Sequence, residues 1–313
     1  MSTNRGIPSD AQAPKAGQGD VLQAGLRSVG FQGELGAFSE EAARALVPGA
    51  DPVPHSSFEA VLRAVERGDV DAGAVPVENT LAGTVAAAYD ALASGAVSVI
   101  AEVAIPIRLC LLGTTDASVG GIREARSHPV ALAQCRGFFD SHPDVLAQAV
   151  YDTAGAAKAV AASGDPAVAA IASRGAGMRY QLKVLGENLQ DRDDNQTRFF
   201  LVVPNTQGFS LPEGLLKTAC VAEVENRPGI LHALLGIFAD RGLDLTHLAS
   251  RPGGSPWTYR FIVELTHAES DAAEEALAAA RAMGAELHVL GTFPAWRGPA
   301  NGARAEVNGG EQG

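Results

Sequence analysis

DRDDNQTRFFLVV, Asp191 to Val203, changes character at its middle. Up to Gln196 it is charged and polar. From Phe199 to Val203 it is an unbroken run of apolar strand formers. Such a run predicts a fully buried strand, of the kind a parallel sheet holds. Thr197 and Arg198 then stand at its mouth, a hydroxyl and a guanidinium at a sheet edge, and ligands bind outside such edges. Taken alone, the stretch reads first as a polar loop feeding a core strand, with Thr197 as a β-former and Arg198 as a surface cation.

Upstream, the chain from 27 to 204 alternates strand and helix. Arg27–Gln32 predicts a strand, and Gly33 and Gly36 bracket a tight loop before a helix from near Ser39. A loop opening a helix is a generic anion cradle, because free N–H groups and the dipole point at the ligand. Ser56 and Glu59 have capping-box spacing. Phe58, Val61, Leu62 and Val65 share the face of the helix that follows, and Gly68 ends it. Val70–Val77 predicts a strand ending in Glu78, Asn79 and Thr80, and a helix follows over Thr84–Ala93. Asn79 caps that helix or turns the loop. A long apolar strand, Val97–Ile107, runs on through Arg108–Leu112 and predicts a crossing between two lobes.

Ser127 precedes a helix opened by Pro129. Leu132, Cys135, Phe138 and Phe139 face its core, and Gln134 turns away. Asp152 or Thr153 caps a helix that closes at Gly164. Ala167–Ala172 predicts a short strand, followed by a helix over Ser173–Tyr180. The alternation predicts an α/β domain over 27–204 with its second lobe at about 108–184 and a cleft between the lobes.

Downstream, the prolines and glycines of Pro204–Gly214 mark a linker, drawn at 205–215. Residues 216–296 then run strand, helix, strand, strand, helix, strand: Thr218–Val224, the segment after Gly229, Leu243–Ser250, Trp257–Leu265, Ser270–Met283 and Glu286–Phe293. This predicts a ferredoxin-like βαββαβ domain. It offers no nucleophile and no acid–base pair.

Composition narrows the function. A chain of 313 residues with 46% apolar content supports two or more domains. A net charge of -12 argues against nucleic-acid binding, and an anionic ligand would need a local positive site. Cys110, Cys135 and Cys220 are too scattered for a zinc site or a disulfide framework and suit a reducing compartment. No apolar run approaches the roughly 18 residues of a membrane helix. Residues 1–26 and 297–313 read as a disordered leader and tail. A cytoplasmic protein, with no metal and no membrane partner, is the simplest reading.

Several segments together carry a resemblance: GFQGELGAFSEEAA, AVPVENTLAGTV, SHPVALAQC, DTAGAAKAVA, NQTRFFLV, then VENRPGILHALLGIFADRGLDLTHLASRP and PWTYRFIVEL. In this order they resemble prephenate dehydratases with a C-terminal ACT regulatory domain, over about residues 28 to 296. The resemblance implies a two-lobed, periplasmic-binding-protein-like (type II) catalytic domain. It implies a lyase that converts prephenate to phenylpyruvate, water and carbon dioxide on the route to phenylalanine, without a cofactor. Arogenate dehydratase is the close rival, and a non-catalytic binding module with an ACT sensor is the rival from another class.

Carried over, the motifs give Thr197 as the main catalytic hydroxyl, with Asn79, Gln134 and Ser127 beside it. Arg198 is the expected carboxylate anchor. Phe199, Thr80, Gly36, Ala37 and Ser39 are expected to line the site, and Glu78 and His128 stand nearby as alternative donors. Phenylalanine is implied as allosteric inhibitor at Asn226, Arg227, Pro228, Gly229, Ile230 and Leu231, with Ala249, Ser250, Arg251 and Pro252. Relatives usually carry Glu where this chain has Ala249, which puts effector affinity in question. A homodimer or homotetramer is implied.

Overall fold

The computed structural model describes residues 25–205, 211, 213–253, 258–268, 270–296 and 298. The expected leader up to residue 24, the middle of the linker, Trp257 and nearly all of the tail lie outside these residues.

The first lobe contains β1 (Ser28–Gln32), α1 (Phe38–Leu46), β2 (Asp51–His55), α2 (Phe58–Arg67), β3 (Ala72–Asn79), the short β4 (Gly83–Thr84), α3 (Ala86–Ser94) and β5 (Val97–Pro106). The chain then crosses to a second lobe. This holds β6 (Cys110–Gly113), β7 (Glu124–Ser127), α4 (Pro129–Ala133), α5 (Arg136–Ser141), β8 (Leu146–Ala149), α6 (Thr153–Ser163), β9 (Val168–Ala172), α7 (Arg174–Arg179) and β10 (Lys183–Gly186). It returns as β11 (Gln196–Pro204). The strand order is β2-β1-β3-β11-β5 in the first sheet and β10-β6-β9-β7-β8 in the second.

The opening stretch is therefore the penultimate strand of the first sheet, with Phe199–Val203 no more than 2% exposed. It runs antiparallel to both neighbours, where a parallel strand was expected. A wholly apolar run reports burial on both faces, and burial carries no information about direction. The long strand expected over 97–112 breaks after Pro106, where the chain changes sheets. The helix expected from Pro129 breaks at Gln134 and Cys135. The cap of α2 is Ser57, which accepts from Ala60 N, and not Ser56.

The C-terminal domain holds β12 (Leu216–Val224), α8 (Ile230–Ala239), β13 (Asp244–Pro252), β14 (Tyr259–His267), α9 (Ser270–Ala282) and β15 (Glu286–Pro294). Its antiparallel sheet has the order β13-β14-β12-β15. Alternation gives that sheet two buried faces. Cys220, Val263 and Leu265 pack under α8 and α9 with Leu234, Phe238 and Ala276. Ala219, Val221, Ile262, Leu290 and Phe293 instead share one core with Tyr89, Val97, Val99 and Phe200 of the first lobe. The two domains are thus docked through a common apolar layer. No described helix is long and apolar enough to cross a membrane.

Candidate active site

The cleft between the lobes encloses about 330 Å³. From the first lobe it is lined by Gln32, Gly33, the start of α1 (Ala37, Phe38, Ser39), Pro76, Asn79, Thr197 and Phe199; from the second by Ile107, Leu109, His128, Ala131, Gln134 and Tyr151–Thr153. Three helix starts open on it: α1, α4 with His128 as N-cap, and α6 with Asp152 as N-cap. The start of α1 has no side-chain cap, so its first N–H groups are open to a ligand. Among the described residues the lining holds no Arg or Lys. A bound anion would therefore be met by N–H groups, hydroxyls, amides and His128.

One irregularity aims the polar groups. Thr197 pairs with Asn79 and Arg198 with Glu78, but Phe199 pairs with Pro76. Val77 is the extra residue of a β-bulge. Without it, strict alternation would put Asn79 on the face opposite Pro76. With it, Pro76 and Asn79 both line the cleft, while Val77 and Glu78 face the C-terminal domain. A readable signal existed: proline lacks the ladder N–H and within sheets is confined to edges and bulges.

Asn79 does not cap α3. It turns the loop, its Oδ1 accepting from Leu81 N (3.0 Å) and Ala82 N (2.8 Å). Its Nδ2 lies within hydrogen-bond distance of Thr197 Oγ1 (3.0 Å), Gln196 O (3.0 Å) and Asn195 Oδ1 (2.8 Å). Asn195 Nδ2 in turn donates to Gln134 Oε1 across the lobes (2.9 Å). Asn195 was not singled out from the sequence. It follows a run of polar residues that looks uniform, and only the pairing of β3 with β11 brings it to the centre.

Of the residues expected at the site, Thr197, Asn79, Gln134, Phe199, Ala37, Ser39 and His128 line the cleft. Five others are absent from its lining. Ser127 is fully buried and donates to Ile171 O (2.5 Å), tying β7 to β9. Thr80 donates to Asp194 O (2.9 Å) and accepts from Gln196 N (3.0 Å), so it fastens the loop. Gly36 is a point of lobe contact: φ is +92°, and a Cβ there would lie 2.6 Å from the Ala176 Cα. Glu78 lies on the face of β3 turned from the cleft. Beside Gly36, Glu34 accepts from Lys158 (2.9 Å) and Tyr151 (3.1 Å), a second bridge between lobes. The Lys158 hydrogen bond holds the Glu34 carboxyl below its ordinary range.

Arg198 is the fifth. Strand alternation turns it away from Thr197's face, and it is no carboxylate anchor in the cleft. It pairs with Glu78 (2.9 Å), with Glu102 (2.9 Å) and with Glu264 of the C-terminal domain (2.8 Å), over the ring of Phe200. Lys217 joins Glu102 at 2.8 Å, and Tyr89 donates to Glu264. Hydrogen bonding from His247 and then from Arg198 holds the Glu78 carboxyl down at about 2. Burial alone would raise Glu264, but the charges of Arg198 and Lys217 outweigh it and keep the group ionised. This cluster of charges sits behind the strand pair that carries Thr197 and Asn79.

In the C-terminal domain, Asn226–Gly229 form the turn into α8, with Gly229 at φ 82°, and Ile230 and Leu231 begin the helix. On β13, alternation splits the other expected effector residues. Ala249 packs into the core shared with the first lobe, and Arg251 reaches Asp90 on α3 (2.8 Å). Ser250 is exposed on the opposite face. A Glu in place of Ala249 would point at the catalytic lobe.

A family profile described as prephenate dehydratase matches residues 29–207, and one described as ACT domain matches 218–280. The chain is 35% identical over 282 residues to "Arogenate dehydratase/prephenate dehydratase 2, chloroplastic" of Arabidopsis thaliana, covering 85% of this chain and 72% of that one. It is 37% identical over 273 residues to the prephenate dehydratase of Amycolatopsis methanolica, covering 86% and 88%. The solved prephenate dehydratase of Arthrobacter aurescens in complex with L-Phe superposes with a TM-score of 0.78 at 32% identity, covering 86% and 90%. A structure titled "GqqA- a novel type of quorum quenching acylases" superposes with the same TM-score at 31% identity, covering 87% and 99%.

Proposed function

The chain belongs to the prephenate dehydratase family, and on that basis we propose that its cleft converts prephenate to phenylpyruvate, water and carbon dioxide. The observation that carries the mechanism is the bond from Asn79 Nδ2 to Thr197 Oγ1. Because that Nδ2 can only donate, the Thr197 O–H finds no acceptor there and is left to donate into the cleft. Prephenate carries two carboxylates and a ring hydroxyl. Carbon dioxide leaves from the ring carboxylate, its bonding electrons aromatise the ring, and hydroxide departs with one proton as water. The substrate supplies the driving force. The protein must orient it and stabilise the departing oxygen, the task of a fixed hydrogen-bond donor. The open start of α1, with Ser39 and His128, is suited to the carboxylates.

The acylase-titled neighbour shares the fold, but an acyl-transfer nucleophile needs a base to take its proton. Among the described residues no imidazole or carboxylate accepts from Thr197. Arogenate is the second substrate reading, favoured by the plant relatives' names and by Asp152. That carboxylate lines the cleft, and it suits the ammonium that arogenate carries in place of the keto oxygen. The ACT domain is read as a phenylalanine sensor at Asn226–Leu231, supported by the L-Phe complex of the Arthrobacter relative. Isologous pairing into a cytoplasmic homo-oligomer is the assembly we infer.

Ultraviolet detection of phenylpyruvate from prephenate, and amino-acid detection of phenylalanine from arogenate, tests the reading. Turnover of prephenate at least equal to that of arogenate is expected. The opposite ranking gives the substrate to arogenate, and no turnover of either defeats the dehydratase reading.

A further inference from the structure

The polarity of the amide chain follows from Asn79, where backbone groups face both ends of the side-chain amide. The N–H groups of Leu81 and Ala82 require Asn79 to turn Oδ1 toward them. Its Nδ2 therefore faces Asn195, 2.8 Å away. Asn195 must answer with Oδ1, so its Nδ2 faces Gln134 at 2.9 Å. Gln134 must accept there on Oε1, which leaves its Nε2 for the cleft it lines. The Gln196 carbonyl, which can only accept, lies beside the same Asn79 Nδ2 and agrees with this orientation, and Thr197 Oγ1 faces that nitrogen too. Both groups offered to a ligand, the Gln134 N–H and the Thr197 O–H, are donors. Asn195 is 1% exposed and does not line the cleft. Its carbonyl accepts from Ile107 N (2.8 Å), where the two crossings between lobes meet.

We propose that Asn195 is a positioning residue that sets the donor polarity of the cleft: from the hinge, it holds the Gln134 amide with its N–H toward the substrate. Only a side chain with one acceptor and one donor can link Asn79 to Gln134 in this sense. An unpaired or reversed amide facing a carboxylate or an oxyanion loses a charge-assisted hydrogen bond. The proposal rests on the cleft being the prephenate site.

Asn195→Asp tests it, because the replacement has the same shape and, when ionised, only accepts. Gln134 must then turn its Nε2 to the introduced carboxylate and show Oε1 to the substrate. The expected result is a KM for prephenate raised about 10- to 100-fold, the range of one such hydrogen bond, with kcat moved much less. As pH falls and the introduced carboxylate protonates, its O–H donates to Gln134 Oε1 again, and KM returns toward the wild-type value at the same pH. A structural role alone would not give that recovery. A wild-type KM at neutral pH, or a raised KM with no recovery in acid, overturns the proposal.

Should Asn195→Asp not fold, Gln134→Glu and Asn195→Ser take its place. The first shows an acceptor to the substrate and is expected to raise KM at unchanged thermal stability. The second keeps one donor and one acceptor and is expected to stay within about tenfold of wild type. The reverse ranking overturns the proposal. Wild-type turnover, measured alongside, decides the reaction separately. The Gln134 side-chain amide resonances need no substrate and are expected to titrate in Asn195→Asp but not in the wild type; an unshifted signal counts against the proposal even if the reaction is another.

Discussion

Arg198 and Thr197 are neighbours in sequence and face opposite ways. The TRF motif invites both into the cleft, yet the period-two rule of a strand assigns only one of them to each face. That rule was available in the sequence, and so was Pro76 as a sign of the bulge that turns Asn79 back toward Thr197. Which face is the cleft was not legible, because a strand buried on both sides is apolar on both sides. The structure gives Arg198 a role in docking. Its side chain is 13% exposed and meets two carboxylates, those of Glu102 and Glu264, that are each 1% exposed. Arg198→Met leaves those charges short of a cation, and removal of one partner from a buried ion pair costs about 3–5 kcal/mol. Denaturant unfolding is expected to show a loss of that order. A substrate anchor would instead show a much higher KM at nearly unchanged stability.

At the scale of elements, most of the helices were readable because their signals are local. Asp152, Ser173 and Gly68 cap where short-range chemistry puts them. The strands β2, β4, β7, β8 and β10 were not legible; DPVPH and LAQA, for instance, show no apolar alternation, and β2 and β8 are edge strands. The βαββαβ order was legible, but its docking was not, since an apolar strand face does not name its partner. Docking rests on β15 crossing β5. A Cβ on Gly291 would lie 2.1 Å from the Val99 carbonyl oxygen, so only glycine allows the two backbones to approach. Gly291→Ala must push the sheets apart, and overpacking of this kind costs about 1–3 kcal/mol. A lower unfolding midpoint in denaturant is expected for this variant. An unchanged midpoint would mean that the domains are not held at this crossing.

At the scale of the molecule, three units meet on one pair of strands. The second lobe enters and leaves at Ile107 and Asn195, which are hydrogen-bonded to each other, so the hinge lies one residue from β11. The C-terminal sheet covers the back of the same strands through Arg198, Phe200 and Glu78. A shift of that sheet, as on binding an effector, therefore bears on the strands that carry Thr197 and Asn79. In the proposed reaction the Thr197 hydroxyl donates to the oxygen that leaves. Thr197→Val keeps the branched shape and removes the donor. Steady-state conversion of prephenate to phenylpyruvate by this variant, at a matched unfolding midpoint, is the direct measurement. A fall in kcat of about 10²- to 10⁴-fold, the usual contribution of one positioned proton donor, is the expected result. A kcat within about twofold of the wild type, well below that range, would contradict it.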